Sequence, residues 1–326
     1  MSPRRTIFTS GSEFKRKQFI QKTLLILVLL VIVAMIPVFY FKLRGSGTNE
    51  KLELRNSFEK GDFETAYNQS REMLKEKPLD FYLLTIHGFS AYQLAIAQIN
   101  NFDTLSYIND CVWSLRKAML SKGNSKDGGV NYVLGKAYYY KGSGYADLAI
   151  TYLEKAKSLA YKATDIPEYL GLSYAAIRDY RSSVEAFSLA LNGYEQSSGN
   201  DQAKNADAQP SDILLLSIAK SYLALNEYDS ARAYLVRCLD ITKDSRTTVT
   251  ARLLLGGILV KMGDTSGAEA EFQKVITENG ENAEAHYQLG ELYASGGDMT
   301  RARSEWRRAL RIDPAHALAR SRLNIQ

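Results

Sequence analysis

From residue 47 onward, apolar positions at helical spacing alternate with short polar breaks, and the segment YQLGELYASGGDMTRARSEWRRAL (287–310) shows the pattern in full. Leu289, Tyr293 and Ala294 recur on one face of a first helix, SGGD (295–298) breaks it, and Ala302, Trp306, Ala309 and Leu310 resume the period in a second. A glycine inside a helix costs about 1 kcal/mol relative to alanine, so Gly290 implies a packing reason. Two antiparallel helices that approach closely supply one: only a small residue fits at the contact, and Trp306 fills the gap beside it. Pro314 ends the second helix, because its ring carries no N–H.

The unit recurs upstream in a period of about 34 residues. Leu289, Gly290, Tyr293, Ala302, Trp306 and Ala309 become Leu255, Gly256, Leu259, Ala268, Phe272 and Val275, then Ile218, Ala219, Tyr222, Ala231, Leu235 and Cys238. Further upstream stand Leu170, Gly171, Tyr174, Ser183, Phe187 and Ala190, and then Leu134, Gly135, Tyr138, Ala149, Leu153 and Ala156. His87 and Gly88, with Cys111, Leu115 and Ala118, mark a more distant copy. EKGDFETAYNQSREMLKEKP (59–78) keeps the turn and second half of a first one.

This spacing resembles the tetratricopeptide repeat family, whose signature runs Leu-Gly, Tyr, then Ala, Phe, Ala and Pro. The resemblance covers residues 47–316 and implies an all-α fold, an α-solenoid of about seven helix–turn–helix repeats near 47–80, 81–127, 128–163, 164–211, 212–248, 249–282 and 283–316. A polar insert, 198–210, is expected to be a mobile loop, and residues 317–326 a C-terminal capping helix with Arg320 and Arg322 outward and Leu318 and Leu323 packed backward. The sequence departs from the family pattern at His286, Arg252 and Leu215, which replace the first-helix aromatic, and at Ser183, which replaces an alanine.

Residues 23–41, TLLILVLLVIVAMIPVFYF, carry no charge and lie between Lys22 and Lys42. As a helix they span about 28 Å, close to the hydrocarbon core of a bilayer. A cleaved signal peptide has a shorter apolar region and small residues at its end; this run ends in Phe39, Tyr40 and Phe41, so it predicts a retained transmembrane helix. The tail 1–22 holds six basic residues against Glu13, which equals the net charge of the whole chain, +5. Everything beyond the tail is therefore neutral, which removes the main support for nucleic-acid binding. The same bias predicts a cytoplasmic N-terminus, a linker at 42–46 and repeats on the far side, periplasmic or lumenal.

Residues suited to catalysis are scarce. His87, His286 and His316 form no HxxxH pair, Cys111 and Cys238 occupy second-helix core slots, and Glu269 and Glu271 read as exposed helix positions. GSG (142–144) lacks the third glycine of a dinucleotide loop, since Asp147 stands there. We therefore expect no enzyme activity, no cofactor and no metal. The family resemblance instead implies a concave groove lined by first helices. Its slots here are Tyr82, Phe89 and Tyr92, then Tyr132, Lys136 and Tyr139, then Leu172, Leu216, Lys220, Leu223, Leu253 and Val260, and finally Tyr287 and Glu291. Such a lining suits an extended or helical segment of a partner protein. The clamp for acidic chaperone tails is not matched: Lys51 fits it, but Arg55 and Ile86 replace two asparagines. Arg301, Arg303, Arg307, Arg308 and Arg311, relieved by Glu305, form a second candidate surface, for an acidic partner. The expected role is a membrane-anchored scaffold, similar in architecture to anchored periplasmic repeat proteins of bacterial envelopes. These include secretion chaperone complexes and the collar of spirochaete flagellar motors. A membrane adaptor with cytosolic repeats and a homo-oligomeric structural protein stand as alternatives.

Overall fold

The computed structural model describes residues 49–97, 101–121, 126–198, 210–278 and 280–324. Among the described residues there is no strand, and no helix is long and apolar enough to cross a membrane. The tail, the 23–41 run and the linker lie outside the described residues, as does most of the 198–210 insert.

Helices pair along the chain: α1 (Asn49–Glu59) with α2 (Phe63–Glu76), α3 (Phe81–Ala97) with α4 (Asn101–Leu120), and α5 (Gly128–Lys141) with α6 (Ala146–Ser158) after a single 3-10 turn at Ser143–Tyr145. Next come α7 (Ile166–Ala176) and α8 (Tyr180–Ser198), α9 (Asp212–Ala224) and α10 (Tyr228–Ile241), and α11 (Ser245–Met262) and α12 (Thr265–Glu278). The last pair is α13 (Ala283–Ser295) with α14 (Met299–Ile312), followed by the short α15 (Ala317–Arg322). The chain forms two compact units, divided between Tyr169 and Leu170 inside α7.

The turn inside most pairs is built one way. Gly263 ends α11 at φ +82°, its N–H bonding to Val260 O and that of Asp264 to Leu259 O, which satisfies the last carbonyls of the helix. Asp264 then caps α12 by accepting from Gly267 N at 2.8 Å. Arg178 (φ +64°) and Asn226 (φ +59°) hold the same left-handed place without glycine's freedom. In the second of these turns Glu227 follows, and its side chain makes no cap bond.

The interior of each pair is an interlock of small against large. A Cβ on Gly290 would lie 2.6 Å from Trp306 Cδ1, and one on Gly171 2.5 Å from Phe187 Cε1. On Gly135 and Gly88 it would lie 2.6 Å from Leu153 Cγ and Leu115 Cγ. The first pair exchanges the sizes: Leu54 stands at the glycine's place and Ser70 at the aromatic's, both fully buried. Ser183, the departure from alanine, is satisfied inside the core, donating to Gly171 O at 2.9 Å and facing Ser221 Oγ at 3.0 Å.

Three expectations are corrected. Glu271 is buried rather than exposed, held by Arg252 at 3.0 Å and Lys274 at 2.5 Å, because Arg252 brings a charge into the slot an aromatic fills elsewhere. Glu305, expected on the basic surface of the last repeat, is buried, with His286 Nδ1 2.6 Å away in the corresponding first-helix slot. Leu318 faces solvent at 56% exposure and Ala319 takes its place beside Leu323, which packs backward as expected, since the cap at His316 sets the phase of α15.

Candidate functional site

In the first unit, the first helices carry a cluster of tyrosines around one lysine. α3 presents Tyr92, α5 presents Tyr132, Lys136, Tyr139 and Tyr140, and the start of α7 presents Tyr169. Tyr132, Lys136 and Tyr140 recur at intervals of four and so share one face of α5. Lys136 is buried, with Nζ 4.4 Å from the centre of the Tyr169 ring, 5.1 Å from that of Tyr132 and 5.7 Å from that of Tyr92. Its charge is met by Asp165 at 2.7 Å, which also accepts from Tyr132 Oη at 2.8 Å. A buried ammonium is stable only when paired and hydrogen-bonded in this way, and three ring faces add cation–π attraction of about 0.5–2 kcal/mol each.

The surface of the cluster is tyrosine. The Tyr139 ring packs edge-on against Tyr169 at 5.2 Å and Tyr140 at 5.4 Å between centres, and the Tyr140 and Tyr169 hydroxyls lie 3.0 Å apart. Tyr140 is 38% exposed, Tyr139 and Tyr169 half-buried. Burial, the largest cause, pushes the hydroxyls of Tyr92, Tyr132, Tyr139 and Tyr169 above the usual phenol range, and Asp165 pushes Tyr132 and Tyr169 the same way. These groups therefore stay neutral donors at physiological pH. The result is a rigid apolar platform with polar tips, the chemistry that interface tyrosines provide.

Several sequence-predicted groove residues turn out to hold the array together. Phe89, Tyr92, Tyr132, Lys136 and Leu216 are buried among neighbouring helices and leave no access to a partner, and Tyr287 is buried against α14, His316 and α15. Tyr82 is half-buried, Lys51 Nζ lies 5.5 Å above its ring, and burial pushes its hydroxyl up to about 12. In the second unit Leu172, Leu223 and Leu253 pack half-buried against one core that includes Leu216. Lys220 and Val260 are exposed. Glu291 is engaged by the guanidinium of Arg322. Tyr140, Tyr169 and Asp165 were missed by sequence reasoning. One signal could have found Asp165: Lys51 and Asp80 pair at 2.9 Å with the same separation of 29 residues as Lys136 and Asp165.

The second candidate surface changes too. Arg301 is occupied by Asp298 at 2.6 Å and Arg308 by Glu305 at 2.9 Å. Cys111 and Cys238 are free and buried, and burial raises the thiol of each, that of Cys238 to about 11. Among the described residues no three His, Cys, Asp or Glu side chains are grouped to hold a metal.

Paired helices, each pair interlocking small against large side chains, with an aromatic first-helix face in the first unit, define a helical-repeat fold. Residues 214–245 and 251–317 match tetratricopeptide repeat family models, so those two stretches carry tetratricopeptide repeats. It is similar to the anaphase-promoting complex subunit CDC16 of Saccharomyces cerevisiae, 28% identical over 192 residues; the match covers 57% of this chain but only 21% of that protein. Among solved structures it resembles the C-terminal part of a tetratricopeptide-repeat protein from Cytophaga hutchinsonii, at 17% identity and TM-score 0.53, covering 82% of this chain and 97% of that one. PilF of Pseudomonas aeruginosa follows at 14% identity and TM-score 0.50, covering 73% of this chain and 97% of that one. These two likenesses bear on the fold alone.

Proposed function

We propose that the chain is a non-catalytic scaffold, anchored in a membrane by residues 23–41, that docks a segment of another protein on the Tyr139–Tyr140–Tyr169 platform. The observation that carries the reading is the lysine-centred cluster itself. Lys136 and Asp165 fix the rings from below, so the exposed edges of Tyr139 and Tyr140 meet a partner already ordered, with little entropy left to lose. The basic tail supports an orientation with the N-terminus in the cytoplasm and the repeats in a periplasm or lumen.

A photo-crosslinking residue placed at Tyr140 in the living cell tests this, with Lys220 as an exposed first-helix comparison. The expected result is one dominant adduct from Tyr140, weakened by Tyr169→Ala and absent from Lys220. Equal adducts from both positions, or none from Tyr140 in folded protein, refute the platform. An adduct with a second copy of the chain replaces the scaffold reading with a homo-oligomer.

A further inference from the structure

The outer helix of the second pair, α4, presents a face unlike an ordinary solvated one. Leu105 is 44% exposed, Trp113 58% and Leu120 83%. At 100° per residue these three fall within about 80° of arc, joined by Asn109 and Arg116, with Lys117 at the margin. Asp103 and Asp110 fall outside that arc, and Asp110 accepts a hydrogen bond from the Tyr67 hydroxyl. Within that arc the exposed face combines large apolar side chains with Arg116, which also interacts with the Tyr138 hydroxyl, and holds no carboxylate; Lys117, at about 120° from Leu105, and Asp110, at about 140°, stand side by side beyond it. Lys117 Nζ lies 4.5 Å above the Trp113 ring. An indole at the surface beside a lysine whose head can reach outward is the pairing that sits at a membrane–water boundary.

The chain outside the described residues says which surface is in reach. Residues 42–48 separate the apolar run from α1, and fully extended they span at most about 25 Å. α1, α2, α3 and α4 pack successively, at helix spacings of about 8–10 Å. Tether and packing together keep α4 within about 55 Å of whatever surface the run enters, which leaves its outer face able to reach that surface.

We propose that the Leu105–Trp113–Leu120 face of α4 lies on the lipid headgroup layer, with Arg116 and Lys117 on anionic phosphates. This rests on the reading of 23–41 as a membrane anchor and goes beyond it, because it fixes how the first unit sits on the bilayer. The tether supplies a high local concentration, so a face too small to bind lipid alone stays engaged.

The test uses the full chain in vesicles of phosphatidylcholine and phosphatidylglycerol, with or without bromine on the acyl carbons nearest the headgroup. Of the chain's two tryptophans, Trp306 is buried, so quenching by bromine reports on Trp113. The expected result is flotation with the vesicles, loss of the emission of one tryptophan in brominated lipid, and no such loss in Trp113→Phe. Chain that floats while its emission ignores bromine overturns the inference and leaves the anchor standing. If Trp113 is then also shielded from aqueous acrylamide, protein rather than lipid covers the face. Chain that does not float overturns the anchor and the inference together.

Discussion

Gly256 and Gly257 are adjacent in α11, and only one of them faces the partner helix. A Cβ on Gly256 would lie 2.8 Å from Phe272 Cζ and 2.9 Å from Cδ1, whereas a Cβ on Gly257 meets nothing within 4 Å. Phe272 is fully buried, so its ring cannot swing aside without displacing other core side chains. Alanine in place of glycine gains about 0.5–1 kcal/mol of helix propensity at either position. At Gly257 that gain stands alone, and Gly257→Ala is expected to raise stability by that amount. At Gly256 it is opposed by overpacking of about 1–3 kcal/mol, so Gly256→Ala is expected to fall below wild type or just match it. Gly256→Leu places a whole side chain in the same gap and is expected to cost at least about 3 kcal/mol. Thermal unfolding of the detergent-solubilised chain, followed by helical circular dichroism, reads this at about 2–4 °C per kcal/mol. Hydrogen exchange would place the loss in α11 and α12. Phe272→Leu should lessen the penalty of Gly256→Ala, a coupling expected only of residues in contact. If the two alanine variants shift the melting temperature equally, the small-against-large interlock is wrong.

Two further predictions concern other parts of the array. Glu227→Asp shortens the side chain at the one matching turn, among the described residues, where the carboxylate makes no cap bond; the expected gain is about 0.5–1 kcal/mol, read as a higher urea midpoint. His87 is stacked on Tyr67 with ring centres 4.3 Å apart, and burial, the largest cause, lowers its pKa below the usual imidazole value of about 6.5. Between that value and the lower folded one, the unfolded chain binds the proton more readily, so stability falls as pH falls through the window. Unfolding measured from pH 7 downward should show this slope in wild type and a shallower one in His87→Gln; equal slopes would remove His87 as the cause.

The sequence by itself determined the helical pairs. Apolar spacing, the small slots and the Gly-Asp turns are local or nearly local signals, and a repeated unit states each of them several times. That redundancy also explains why Ser183 and Arg178 do not spoil the reading: neighbouring copies supply the pattern where one copy departs from it. The exchange of Leu54 and Ser70 was not legible, because conserved total volume across two helices leaves no trace at either position alone. Nor was the exposure of the predicted groove. Tyr92, Tyr132 and Lys136 occupy slots that a repeat count directs at a partner, yet neighbouring helices bury them. Whether a first-helix side chain meets a ligand or the next helix depends on how closely successive pairs stack, a property of the assembled layer. Tyr140 and Tyr169 become a surface, and Lys136 its buried support, only once the residues up to Tyr169 at the start of α7 meet α5.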